Sequence, residues 1–229
     1  MPKLTSLRSE KRLLDRQAAD SIRAHILDGV LPAGARLLET QLAEELEVSR
    51  GTVRAALALL ASEGLVTQVA FTRWQVSETS PRDAWEIYTL RAALEGLAAG
   101  LAALHARPAD AERLRATIAE MAAAVAGKRF EEVADIDFRL HREIVALARH
   151  RRLAEQHAHV MQQVRFHMVQ AGFFPADYQA SVAEHAALIE AVASGDAALA
   201  ERLARTHNEA EVRLLAPNVE EPVTGGAPA

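Results

Sequence analysis

The segment Val48-Ser49-Arg50-Gly51-Thr52-Val53-Arg54 opens a predicted helix that runs through Glu63. Ser49 has the side chain of a good N-cap, because its oxygen can accept a hydrogen bond from a free backbone N–H of the first turn. Val53, Leu57 and Leu60 follow at helical spacing and form the face that packs inward, and Gly64 ends the helix. Arg50 and Arg54 stand four residues apart, so they share one face. Such a helix end suits a DNA groove. An arginine fork can bond guanine twice, serine and threonine hydroxyls hold phosphate, and a helix N-terminus attracts phosphate oxygens. Gly51 offers no side chain to block the approach. Taken alone, the pattern fits a surface helix with solvated arginines equally well.

The flanking sequence decides between these. Upstream, Ala18, Ile22 and Ile26 mark one face of a helix over 13–28, Gly29 stops it, and Leu31-Pro32-Ala33-Gly34 makes a turn. A short helix over 39–46, with Leu42 and Leu46 on one face, precedes the break at Glu47-Val48. Downstream, residues 65–69 and 74–77 read as two strands around Ala70-Phe71-Thr72-Arg73. Helix, helix, turn, helix and hairpin in about sixty residues is the layout of a winged helix-turn-helix, assigned to residues 13–78. Residues 1–12 are expected to be a flexible basic arm. Ser80 as N-cap and Pro81 at the first helical position mark the start of a second domain. Helices are predicted at 82–105, 108–126, 130–149, 151–171, 177–194 and 196–215, making residues 79–216 an all-helical antiparallel bundle with a disordered tail at 217–229. The expected fold class is therefore mainly α.

Composition agrees with packed helices: half of the 229 residues are hydrophobic, but only 4% are aromatic. With no cysteine, disulfides and thiolate metal sites are excluded, and a reducing cytoplasm is the expected compartment. The N-terminus lacks an apolar signal core, and the most apolar long stretch, Ala92–Leu104, is interrupted by Glu95 and too short to span a bilayer, so no membrane is expected. The net charge of −5 argues against nucleic acid only as a sum. Residues 1–80 carry ten basic and ten acidic side chains, whereas 81–229 carry sixteen and twenty-one, so the N-terminal part can still meet phosphate locally.

A second group of residues has metal-ligand chemistry. Asp137 and His141 lie four apart on one predicted helix, and His185 and His207 lie on the last two. A carboxylate and three imidazoles would suit a divalent transition metal, zinc first, with nickel or manganese as alternatives. Spacing by itself is weak evidence, since an Asp–His pair on a helix is commonly a surface hydrogen bond and nine histidines give accidental pairs. Arg91 has two readings, a cavity-facing cation or a surface ion pair with Glu95. His157 and His159 are expected at the surface, and His167 and Arg165 are expected to be solvated.

The order and spacing of Ile26–Gly34, Leu42-Ala43-Glu44-Glu45-Leu46, Val48–Arg54 and Leu60-Ala61-Ser62-Glu63-Gly64-Leu65-Val66 resemble the GntR family of bacterial repressors. The resemblance places Ser49, Arg50, Gly51, Thr52 and Arg54 against DNA, with Arg73 available from the wing. Thr40 stands where the family often has arginine, Gly51 replaces a more usual threonine or proline, and the wing tip Thr72-Arg73-Trp74 lacks the expected glycine. Tyr88–Glu95, Asp137–Arg142, Glu184-His185 and His207 are similar to the FadR-like branch, whose C-terminal FCD domain is implied to use Asp137, His141, His185 and His207 as ligands and to turn Arg91 toward an effector. His150 departs from the asparagine of a Gly-Asn turn in that branch, which implies a local change of loop geometry.

The expected function is that of a DNA-binding transcription regulator, a repressor, that is not an enzyme. As a homodimer it would bind a double-stranded operator and respond to a small carboxylate metabolite at the metal. Its rivals are a metal-dependent hydrolase, against which no obvious general base or nucleophile motif is found near the ligands, and a helical domain that only dimerises.

Overall fold

The computed structural model describes residues 9–69, 73–171, 178–215 and 219. The chain forms two compact units, residues 1–79 with 165–172, and residues 80–164 with 173–229. The first contains α1 (Ser9–Leu27), a short strand β1 (Arg36–Leu37), α2 (Glu39–Glu45), α3 (Arg50–Ser62) and the strands β2 (Val66–Val69) and β3 (Arg73–Val76). Helix α1 opens four residues before the expected start, within the stretch assigned to the arm. Residues 1–8, the wing tip 70–72 and all of the predicted tail except Val219 lie outside the described residues.

The core of this unit forms because α1 and α3 each carry one apolar face. Ile22 and Ile26 meet Val53, Leu57 and Leu60, all nearly inaccessible to water, and Val66 and Val76 close the core from the strands. Each such side chain contributes about 1.5–3 kcal/mol on burial. β1 pairs antiparallel with β3, as does β2, giving the order β1-β3-β2. The two-residue β1 was not legible as a strand, because two residues show no alternation.

Helix ends follow local chemistry. The Ser49 hydroxyl accepts from the Thr52 amide at 3.1 Å and caps α3. At its other end Gly64, with φ +78°, lets the Leu65 amide return to the Leu60 carbonyl at 3.0 Å. The turn between α2 and α3 uses Glu47 in the same left-handed region, φ 53°, where glycine would be the relaxed choice.

The second unit contains α4 (Pro81–His105), α5 (Pro108–Ala126), α6 (Phe130–Leu147), α8 (Tyr178–Ser194), α9 (Ala197–Leu215) and the part of α7 (Arg151–Ala171) that precedes Arg165. Ser80 and Asp83 form a reciprocal capping box at the start of α4, with Pro81 in the first turn. Helix α4 packs against α9, α6 and α8, while α5 lies on α8 and α6. Gly96 sits under Arg205 of α9, and a Cβ there would lie 2.7 Å from that side chain, so the two helices approach closely. Among the described residues α4 alone is long and apolar enough to cross a membrane by length and composition. Its most apolar window is 56% buried within the bundle, and it carries the buried pair Arg91 and Glu95. His150 caps the start of α7: its Nδ1 accepts from the Leu153 amide at 3.2 Å, and Arg149 before it takes φ 52°.

Candidate DNA-reading surface and metal centre

In the first unit, α3 turns Arg50, Gly51 and Arg54 outward while Val53 and Leu57 face the core. Ser49 is exposed beside them. Thr52 departs from the expectation: it is buried, and its hydroxyl lies 3.0 Å from that of Ser49, so it supports the cap instead of facing outward. The reason is helical geometry, since Thr52 precedes Val53 on the inner side of the first turn. Gly51 has an ordinary backbone, and a Cβ there would meet only the Ser49 hydroxyl at 3.6 Å, so the fold itself does not demand glycine.

Arg73, at the start of β3, lines one cleft with Arg50, Arg54 and Arg36. Arg36 was not singled out from sequence, because a lone arginine in a two-residue strand carries no pattern. At the floor of the cleft Glu39 accepts from Arg54 Nε at 3.0 Å and Nη2 at 2.7 Å. These side-chain hydrogen bonds raise the pKa of Arg54 and lower that of Glu39.

In the second unit, α6, α8 and α9 bring Asp137, His141, His185 and His207 together, with one ligand-type atom of each within 4.8 Å of all the others. The three imidazoles are buried, and Asp137 is partly exposed. His185 Nε2 lies 3.0 Å from Asp137 Oδ1 and 3.2 Å from His141 Nε2, and His141 Nε2 lies 3.6 Å from Asp137 Oδ1. Each ring is oriented from behind. His141 Nδ1 faces Glu95 at 2.8 Å, His207 Nδ1 faces Glu184 at 2.7 Å, and His185 Nδ1 faces the Ser181 carbonyl at 2.7 Å. All three partners are acceptors, so each Nδ1 carries a proton, and the Nε2 atoms of His141 and His185 face each other and Asp137, with a lone pair there when the ring is neutral.

That inward set is poorly satisfied by itself. His207 Nε2 is buried without a hydrogen-bond partner among the described residues, and such a group costs about 1–3 kcal/mol. A zinc ion with bonds of about 2.0–2.1 Å would hold its ligands about 3.3 Å apart, close to the separations of 3.0, 3.2 and 3.6 Å among Asp137, His141 and His185. Oriented rings, a carboxylate and an orphaned nitrogen fit a metal. The protons respond to the same charges. Burial opposes charge on His141, but Glu95 and Asp137 outweigh it and push its pKa up to about 10, whereas burial pulls that of His185 down. Burial also opposes the charged forms of Glu95 and Asp137, yet Arg91 and His141 beside Glu95, and His141 and His185 beside Asp137, hold both carboxyls well below the usual range.

Arg91 is buried, not at the surface. Its Nε donates to Glu95 at 3.0 Å and its Nη1 to Glu211 at 2.7 Å. Nη2 has no partner among the described residues. The expectation of a surface His157 is overturned: it is buried, with Nε2 2.9 Å from Glu95. Its spacing with Leu153, Val160 and Val164 along α7 is the signal that marks this inner face. His167 is also buried, and both it and Arg165 belong to the first unit. The carboxylates of Glu95 and Glu184, absent from the sequence reading as site residues, adjoin the ligands but are engaged in orienting histidines.

Residues 14–71 match the family described as bacterial regulatory proteins, gntR family, and residues 86–210 match the FCD domain. The probable D-xylose utilization operon transcriptional repressor of Paenarthrobacter nicotinovorans is 30% identical over 207 residues, covering 90% of each chain. A candidate L-lactate dehydrogenase operon regulatory protein of Escherichia coli (strain K12) is 30% identical, covering 86% of this chain and 84% of its own. The solved structure of E. coli McbR/YncC shares the fold, with TM-score 0.70 and 22% identity over 89% of this chain and 97% of that one. The chain belongs to the GntR family of bacterial transcription regulators, in the FadR-like branch that joins a winged helix-turn-helix to an FCD domain. It is a DNA-binding regulator, not an enzyme.

Proposed function

We propose that the protein is a homodimeric repressor acting in the cytoplasm, released from its operator by a small carboxylate bound at a metal in the FCD domain. The observation that carries the effector half is the convergence of three buried imidazoles with Asp137 while every Nδ1 is held by an acceptor. Asp137, His141, His185 and His207 would hold the ion, with zinc favoured by the nitrogen-rich set and nickel or manganese as alternatives. When bound, the ion supplies a Lewis-acid anchor for a carboxylate. Arg91 supplies the matching cation, because its Nη2 has no acceptor among the described residues and it adjoins the ligand His141 through Glu95. The relatives' names refer to sugar and hydroxy-acid operons, so hydroxy acids and sugar acids are the compounds to try first.

On the DNA side, Ser49, Arg50, Gly51 and Arg54 meet the major groove and Arg73 reaches the backbone from the wing. Two copies match a pseudo-palindromic operator. The face of α4 supports pairing: Ile87, Leu90, Leu94, Leu97, Leu101 and Leu104 alternate in steps of three and four, the seam of a coiled coil. Leu90, Leu97 and Leu104 are 51%, 44% and 66% exposed. An antiparallel second copy would set Ile87 opposite Leu104, Leu90 opposite Leu101, and Leu94 opposite Leu97, so the seam complements itself.

The test measures metal content of the purified protein and titrates carboxylic acids against labelled operator. A stoichiometric transition metal and an acid that weakens DNA binding are expected, and DNA must weaken binding of that acid by the same factor. Acids that bind without changing operator affinity would remove the switch.

A further inference from the structure

Glu39 has no role in the sequence reading, yet it is the hub of the DNA-reading cleft. Its side chain is only 17% exposed beneath Arg50 and Arg54. One carboxylate oxygen accepts from Arg54 Nε at 3.0 Å and from Trp74 Nε1 at 3.3 Å. The other accepts from Arg54 Nη2 at 2.7 Å and lies 3.6 Å from Arg50 Nη2. Trp74 is buried on β3, so the carboxylate is anchored to the wing sheet on one side and to α3 on the other.

The edge of Arg54 that is occupied determines what remains. A guanidinium has five N–H groups in a rigid plane. Glu39 takes the side edge, Nε and one hydrogen of Nη2, leaving the end edge of Nη1 and Nη2 on a side chain that is 63% exposed. That end edge is the fork that matches guanine O6 and N7. An unclamped arginine would sample many rotamers and serve any phosphate. The same cleft, about 420 Å³, is lined by Arg36, Arg50, Arg54 and Arg73. Without the carboxylate, four cations would make an unselective phosphate trap.

We infer that Glu39 is a specificity-determining positioning residue, holding Arg54 side-on so that the end of its guanidinium reads one guanine in each half-site. This rests on the reading that the start of α3 contacts bases. The test uses the full-length protein and a duplex selected by it from a randomised pool. Affinities of the unaltered protein, Glu39→Gln, Glu39→Asp and Arg54→Lys are compared at one salt concentration. The duplexes are the selected one, its single substitutions at each guanine, and a scrambled control.

The unaltered protein should lose about tenfold or more in affinity when one guanine per half-site is replaced. Both Glu39 variants should flatten that preference to within about threefold while binding the scrambled duplex as well as before or better, and Arg54→Lys should flatten the same position. Glu39→Asp keeps the charge but shortens the reach, so its effect isolates position from charge. A retained guanine preference in either Glu39 variant overturns the inference, as does flattening by Arg54→Lys at a different position. If the unaltered protein selects no sequence from the pool, the reading of α3 as the base-contacting helix fails as well.

Discussion

At His141 two opposed effects meet: burial disfavours its charge, while Glu95 and Asp137 favour it more strongly. Its pKa rises from 6.5 to about 10, so the metal-free protein keeps this ring charged at neutral pH. The stabilisation is fully present below pH 6.5 and is lost as pH rises toward 10. Denaturant unfolding of metal-free protein at pH 6.5, 8 and 9.5 should show this decline, and zinc-loaded protein should not follow it, because the ion displaces the proton. Equal slopes for the two forms would show that His141 is not a ligand. Glu184 tests the orientation of the site. It holds His207 Nδ1 at 2.7 Å from outside the ligand set, and Glu184→Gln should weaken metal affinity about 10- to 100-fold. Competition with a chromogenic chelator measures it, and an unchanged affinity would leave His207 outside the coordination sphere.

Among the elements, α4 carries the most varied duties. One face supplies Arg91 and Glu95 to the polar network, another admits α9 at Gly96, and a third displays leucines to solvent. Leu97→Lys alters only that third face, so the fold of the protomer should change in stability by no more than about 0.5 kcal/mol. Burying a lysine at the centre of the seam should instead convert dimer to monomer in analytical ultracentrifugation and lower operator affinity. A variant that remains dimeric would move the interface elsewhere. Helix α3 shows how far local pattern reaches: its cap, inner face and glycine stop were all legible, because each depends on residues within one or two turns. The fate of Thr52 was not, since serine–threonine pairing inside a cap competes with an outward role and only the folded turn decides.

For the whole molecule, a ligand that binds only the folded state adds stability by mass action. Zinc at a hundredfold excess over its Kd should therefore raise the unfolding free energy by roughly 2.7 kcal/mol. Removal by chelation should lower Tm, readdition should restore it, and no recovery would argue against a specific site. The linear pattern of apolar residues, caps and breaks was enough to determine the mainly helical fold and the winged helix-turn-helix, because these follow from neighbours along the chain. Resemblance supplied the ligand set, and convergence of α6, α8 and α9 brought its atoms within reach of one another. What stayed hidden lies across elements: Glu95 behind His141, His157 buried against it, and Glu39 clamping Arg54 from fifteen residues away. Charge partners separated in sequence leave no periodicity to read, and whether a histidine is solvated or an arginine is free is settled only when packing removes water and places a carboxylate beside it.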